Sequence, residues 1–254
     1  DEENVPEGFY TSAPYVCGVV SPEQSRKPRG NYGEQRGLEG DPCLAIRVGY
    51  DTDYEYSQLE AFNGNATAAA EYIHTLVGDI SGIYEGALGF KLFGTYLRIW
   101  SVDADPWDGG SMSIVLDQFK DYWNANMQDV ERHLGHLFLG RSLGGGLANI
   151  AGVCSDRGYS LSSGINGSYP MPLEGGQLGN WDPVVYAHET GHNCNMIHTH
   201  EFESREEENS DECGNGNYDD APGTIMSYCH LGDNGIADID LEFDELNIGW
   251  ANEH

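Results

Sequence analysis

Three histidines and one glutamate stand close together in the second half of the chain, in the string HETGHNCNMIH. His188 and His192 are four residues apart, so on a helix both imidazoles lie on one face and can reach the same metal ion. Glu189 is offset by one residue, which places its carboxylate beside such an ion rather than on it. A general base for a metal-bound water belongs at that position.

A third protein ligand is needed if the metal site is to keep one position open for water, as catalytic zinc sites do. His198 lies six residues after His192 and can supply this ligand only if the helix ends and the chain turns back. Asn195 stands at the required turn, and asparagine adopts the left-handed conformation more readily than most residues. His200 is a rival third ligand, but the spacing of His198 fits the motif. The alternative is a helix whose histidines simply face solvent.

The string resembles the HExxHxxGxxH motif of the metzincin metalloproteases, with Asn195 in the glycine position. It is most similar to the reprolysin or adamalysin branch, which includes ADAM and ADAMTS-like proteins, although Thr199 stands where those relatives usually carry Asp. The resemblance implies a zincin-like α+β fold. In that fold a mixed, twisted sheet with helices and an active-site helix faces an irregular C-terminal lobe across a cleft.

A second motif, GTIMSYC, covers residues 223–229. In metzincins a methionine in a tight turn forms an apolar floor under the three imidazoles, and the resemblance gives this role to Met226. Tyr228 follows two residues later, where astacin-like and serralysin-like members carry a tyrosine that reaches the zinc or the oxyanion. Packing of Tyr228 against the helix is the alternative interpretation.

Residues 136–158 resemble, more loosely, the reprolysin segment that leads into the edge strand above the cleft. An edge strand carries unpaired N–H and C=O groups, to which an extended peptide can add as a further strand. The alternative is an edge strand that merely ends the sheet. The residues expected to hold substrate in this way are Leu147, Ala148, Asn149, Ile150 and Ala151.

Hydrophobic periodicity predicts the elements that must position these motifs. Helical patterns cover residues 66–88, a segment from Ser111 or Ser113 to Trp123, and residues 181–194. Strand patterns cover residues 43–50, 92–101, 136–140 and 147–153. Strands alternating with helices early, then loops late, predict a mixed sheet backed by helices and followed by an irregular lobe.

The domain organisation follows from the same reading. Residues 1–35 are rich in proline, glycine and charge without a period, which predicts an extended arm. Residues 36–254 then form one catalytic domain, with an upper lobe to about residue 194 and a lower lobe over 195–254.

The six cysteines are even in number and include no CxxC pair, which favours disulfides in an oxidising compartment over a thiolate metal site. The resemblance to reprolysins implies a Cys154–Cys229 disulfide. Cys194–Cys213 would join the active-site helix to the acidic loop over residues 203–220. Cys17 and Cys43 are then left as the third pair. In the alternative, PYVCGV resembles the cysteine switch of reprolysin propeptides, and the Cys17 thiolate occupies the open zinc position. The even number of cysteines favours the disulfide, since a Cys17 bound to zinc would leave Cys43 without a disulfide partner.

The net charge is −30, from 42 acidic and 12 basic residues. Such a surface repels nucleic acid and anionic membranes. The chain also lacks a run of about 18 apolar residues that would span a bilayer. The acidic residues between 203 and 220 are interpreted as a solvated charge run, with structural Ca²⁺ as the alternative.

Together these patterns predict a secreted, monomeric, Zn²⁺-dependent endopeptidase that acts on protein or peptide substrates. Glu189 is expected to be its general base, with Tyr228 assisting at the oxyanion. The rival interpretation is a catalytically silent or cysteine-plugged zinc-binding module. Glu189 and the open ligand position argue against a purely structural metal site, which has no need of that acid and usually has four protein ligands.

Overall fold

The computed structural model describes residues 44–202 and 222–253. The predicted arm over 1–35 lies outside these residues, as does the acidic loop with its alternative calcium ligands. Both therefore stay predictions, and so does the assignment of the remainder to a single catalytic domain with two lobes.

Five strands form one mixed sheet in the order β2-β1-β3-β5-β4. Four of them run parallel, and the short β4 pairs antiparallel with β5 at one edge. Parallel neighbours require crossover connections, which explains why helices alternate with strands in this part of the chain. The strands are β1 (Leu44–Thr52), β2 (Phe90–Leu97), β3 (Leu134–Phe138), β4 (Gly146–Ala148) and β5 (Tyr159–Ser162).

Helices follow the predicted apolar periodicity closely. The pattern over 66–88 is confirmed as α2 (Ala66–Leu88), which begins where the side chain of Asn65 accepts from two backbone N–H groups and ends at Gly89 with φ of 75°. The remaining helices are α1 (Tyr54–Ser57), α3 (Met112–Asn126), α4 (Trp181–Asn193) and α5 (Glu245–Glu253).

The sheet separates two hydrophobic clusters because side chains alternate between its faces. Phe138 packs with α2 and α4 on one face, whereas its neighbour Leu137 packs with α3 on the other. This arrangement confirms the predicted α+β fold of a mixed sheet backed by helices. After α4 the described chain forms short 3-10 turns and α5, in agreement with an irregular C-terminal part.

The predicted strand over 147–153 is wrong beyond its first two residues. Leu147 and Ala148 belong to β4, whereas Asn149 leaves the strand and Ile150 and Ala151 form a turn. Ala151 adopts a left-handed φ of 54°, which ends the extended chain. The next residues then bond to the end of α4: Ala151 N–H donates to His192 O (2.9 Å) and Val153 N–H to Asn193 O (3.1 Å).

The strand β5 was not predicted because its sequence, YSLS, is half polar. Its serines are nevertheless fully buried, since Ser160 Oγ lies 2.7 Å from His136 Nδ1 and Ser162 Oγ lies 3.0 Å from His136 Nε2. A buried polar group is tolerated when it is hydrogen-bonded, and only the folded sheet brings these partners together. Among the described residues, no helix has the length and apolar character that crossing a bilayer demands.

His136 should make stability sensitive to acid. Burial lowers the pKa of His136 to about 3, below the roughly 6.5 expected in the unfolded chain. The unfolded state therefore binds the proton first, and the stability present above pH 6.5 is lost progressively as pH falls towards 3. Between pH 6.5 and 4.5 the free energy of unfolding in urea should fall by on the order of 2 kcal/mol more in the wild type than in His136→Gln. Equal losses in the two proteins would contradict this assignment.

Candidate metal centre

The helix α4 presents two imidazoles from an almost completely buried position. Residues from Asp182 to Asn193 are all buried, and the rings of His188 and His192 lie 4.7 Å apart on one side of the helix. The helix stops at Cys194, and Asn195 follows with a left-handed φ of 70°. The chain thus turns back at the asparagine that replaces the glycine of the motif.

The turn brings the third histidine to the other two. His198 Nε2 lies 3.1 Å from His192 Nε2, and the ligand atoms of His188, His192 and His198 all lie within 4.8 Å of one another. Two nitrogens bound to one zinc ion at 2.0–2.1 Å in tetrahedral geometry are about 3.3 Å apart. The arrangement therefore fits a zinc site.

His200 does not join this group. It stacks on His198 at 5.3 Å and groups with His198 and Glu201 instead. Of the two histidines considered as third ligand, His198 is the one that converges with His188 and His192.

Hydrogen bonds fix the tautomer of two ligands. His188 Nδ1 donates to Ile225 O (2.7 Å) and His192 Nδ1 donates to Met196 O (2.8 Å). A carbonyl oxygen only accepts, so each Nδ1 carries the hydrogen and each Nε2 keeps its lone pair for a metal. The third ligand has an acidic partner, because His198 Nδ1 lies 3.3 Å from Glu201 Oε2.

The same ligands are neutral near pH 7. Burial lowers the pKa of His188 well below its usual value and that of His192 to about 4. Burial also lowers the pKa of His198, opposed by the nearby carboxylate of Glu201. Metal binding needs the unprotonated ring, so protons compete little for these three side chains.

Glu189 lies between the histidines and the sheet edge. Its side chain is 5% exposed, and burial raises the pKa of its carboxyl to about 8. A Cβ placed on Gly146 of β4 would lie only 2.4 Å from Glu189 Cγ, so the glutamate packs directly against the edge strand. A carboxylate whose pKa is near the operating pH is suited to general base catalysis.

Met226 lies beneath α4. It is fully buried, and a Cβ on Gly191 of the helix would lie 2.6 Å from Met226 Sδ. The turn that carries Met226 also receives a hydrogen bond from Thr199 N–H to Met226 O (3.2 Å). The methionine therefore packs against the histidine-bearing helix at Gly191.

Tyr228 stands at the opening of the site. Its ring centroid is 4.4 Å from that of His198 and 6.2 Å from that of His188, and 39% of the residue is exposed. Burial raises the pKa of its hydroxyl, with a smaller contribution from Glu189.

The sequence reading missed three neighbours of the site. Glu201 approaches His198, Gly146 approaches Glu189, and His230 lies between Tyr228 (5.8 Å) and Trp181 (6.4 Å) in ring-centroid distance. Only Glu201 had a local signal, since an acid three residues after a histidine can fold back in a short turn.

The structure describes three of the six cysteines, Cys154, Cys194 and Cys229. Cys194 carries a buried thiol, whereas Cys229 is disulfide-bonded. The Cys194 side chain packs in the main hydrophobic cluster at the end of α4. Cys154 N–H donates to the carbonyl oxygen of His133 (3.1 Å), directly before β3. The predicted Cys194–Cys213 pair is therefore not formed in this structure, whereas Cys154–Cys229 stays a prediction.

The other three cysteines, Cys17, Cys43 and Cys213, lie outside the described residues. The choice between a Cys17–Cys43 disulfide and a zinc-binding Cys17 thus stays open.

Comparison with known families agrees with this geometry. The reprolysin-type model of metallo-peptidase family M12 matches residues 45–235, which is more than half of the chain. The chain therefore belongs to metallo-peptidase family M12 and is a reprolysin-type metzincin, a family of peptidases with protein substrates.

No curated protein matches the sequence significantly. Among solved structures, 98 chains match. One, titled "Structure of a chaperone-substrate complex", shares 13% identity at a TM-score of 0.45, with 61% of this chain covered. The match spans 24% of that longer chain.

Glu201 should strengthen zinc binding through His198. Replacing Glu201 by Gln removes the negative charge next to Nδ1 and should weaken zinc affinity about tenfold or more, as loss of such partners does in other sites. Competition with a chromophoric chelator at pH 7 measures this. Glu60→Gln, at an exposed carboxylate of the described surface, is the control and should bind zinc like the wild type. Identical affinities in the two variants would refute the role of Glu201.

Proposed function

We propose that this protein is a secreted zinc endopeptidase that hydrolyses peptide bonds in protein substrates. One observation carries the proposal: three imidazoles meet around a common centre with the buried carboxylate of Glu189 beside them. Membership of a peptidase family supports the choice of substrate class.

Three histidines, Glu189 and Tyr228 have different roles in the proposed hydrolysis. His188, His192 and His198 would hold zinc, which supplies Lewis acidity that acidifies a water molecule and polarises the scissile carbonyl. Glu189 accepts the proton of the attacking water and then delivers it to the leaving amine. Tyr228, at the opening of the site, can donate a hydrogen bond to the developing oxyanion.

The edge strand β4 is suited to holding an extended substrate. Ser163 N–H donates to Gly145 O (2.9 Å) and Asn149 N–H donates to Tyr159 O (3.2 Å). Hydrogen-bonded residues alternate in an antiparallel pair, so Gly146 and Ala148 turn their N–H and C=O groups away from β5. These groups face the open edge, where a peptide can pair with them.

The proposal narrows the predicted substrate strand. Asn149 turns its N–H to Tyr159 of β5, Ile150 and Ala151 leave the strand, and the N–H of Ala151 donates to His192 O. We therefore assign backbone recognition of substrate to Gly146 and Ala148 alone.

Secretion is proposed on the chemistry of the cysteines. Cys229 forms a disulfide, and structural disulfides persist in oxidising compartments. The rival function, a silent zinc-binding module, gives no reason for a buried acid beside the ligands, because an unpaired buried carboxyl is costly. Structural Ca²⁺ and a monomeric state are proposed from the sequence alone.

Glu189→Ala tests the proposed function directly. The variant should keep stoichiometric zinc, because Glu189 is not a ligand, and should lose about 10²–10⁴-fold in kcat/KM on a fluorogenic peptide or casein. Metal analysis and activity are measured on the same preparation, with Glu60→Ala as the control. A fully zinc-loaded Glu189→Ala protein that cleaves casein at the wild-type rate would overturn the proposal.

Ala148→Pro tests the assignment of β4 to substrate binding. Proline removes an N–H that points to the open edge and leaves the bonds to β5 intact, a position where an edge strand tolerates it. Loss of one backbone hydrogen bond should raise KM for an extended peptide about three- to tenfold. Ala148→Ser keeps the N–H and should behave as wild type. If the proline variant retains the wild-type KM, the substrate does not pair at Ala148.

A further inference from the structure

The edge strand meets the active-site helix at a residue without a side chain. A Cβ on Gly146 would lie 2.4 Å from Cγ, 2.5 Å from Oε1 and 2.6 Å from Cδ of Glu189. Carbon atoms in contact are about 3.5–4.0 Å apart. A side chain at position 146 and Glu189 in its present position therefore exclude each other.

Backbone conformation does not explain this glycine. The preceding Gly144 and Gly145 have φ angles of 96° and 132°, which other residues rarely adopt. Gly146 is not among the residues with positive φ. The requirement for glycine at 146 is thus one of space.

The pattern along β4 agrees with a spatial requirement. Alternate residues of a strand share a face, so Gly146 and Ala148 lie on one face and Leu147 on the other. Leu147 packs with the cluster around α3, on the face opposite α4. The face towards α4 therefore carries only a hydrogen atom and a methyl group, and the hydrogen atom is at the level of Glu189.

We propose that Gly146 is a positioning residue for Glu189. The space left by its missing side chain holds the carboxylate between β4 and the three histidines. Gly146 also turns its own N–H and C=O to the open edge, so a substrate residue paired with it lies beside the base. The missing side chain of Gly146 thereby sets the place of the base, beside backbone groups that can pair with the substrate. The catalytic part of this inference rests on the proposed function, whereas the steric part does not.

A double-mutant cycle between Gly146→Ala and Glu189→Ala tests the contact in the zinc-loaded protein. Gly146→Ala alone should lower the melting temperature by roughly 4 °C, since overpacking a buried contact is destabilising. In the Glu189→Ala background the same change should have almost no effect, because the atoms that it meets are gone. In the Glu189→Gln background, which retains Cγ and Cδ, the loss should return.

Kinetics supply the second readout. Gly146→Ala should reduce kcat at least tenfold with KM within twofold of wild type and full zinc occupancy, because it displaces the base and leaves the backbone groups of β4 in place. A loss of kcat without a loss of melting temperature also supports the proposal, since the carboxylate has then rotated away. Equal melting-temperature losses with and without Glu189, or no change in either quantity, would overturn it.

Gly110→Ala is the matched control. Gly110 is exposed, and a Cβ there meets no heavy atom within 4 Å. This variant should match the wild type in both measurements. Should the wild type prove inactive on all peptides, the proposed function fails, but the thermal cycle still decides whether Gly146 and Glu189 are coupled.

Discussion

The site depends on burying a polar helix whose histidines find hydrogen-bond partners. The helix α4 carries two histidines and a glutamate through the interior of the protein, where unpaired polar groups are costly. Backbone carbonyls of the segments that follow satisfy the histidines: Ile225 O accepts from His188 and Met196 O accepts from His192. These bonds also aim the free nitrogens at one centre, so the contacts that pack the helix also shape the candidate metal site.

The sheet supports α4 through a second set of buried polar contacts. Tyr50 and Tyr186 share a hydrogen bond of 2.7 Å between their hydroxyl groups, and Tyr84 donates to Ala187 O (2.8 Å). At the start of the helix, Asp182 accepts from the backbone of Asn166 (2.9 Å). These contacts tie α4 to β1, α2 and the segment after β5. The position of the ligands is therefore set by the whole sheet rather than by the motif alone.

The edge strand β4 completes the site because it has no side chain at Gly146, next to Glu189. β4 offers backbone groups outward, and its smallest residue faces Glu189. The turn after β4 then binds the end of α4 through Ala151 and Val153. One short strand thus joins the proposed general base, the proposed substrate edge and the last turn of the helix. A shift in any of them is transmitted to the others, because the contacts leave little free space.

The sequence alone determined the local features. Spacing identified His188, His192 and His198, Asn195 supplied the left-handed turn, and periodicity located α2 and α4, because these signals lie within a few residues of each other. It could not locate β5, whose buried serines are hydrogen-bonded by His136, nor the buried thiol of Cys194. The roles of Gly146 and Glu201 likewise depend on neighbours that only folding brings close to them. Residue types and spacing therefore specified the candidate metal ligands, whereas tertiary contacts decided which groups surround and orient them.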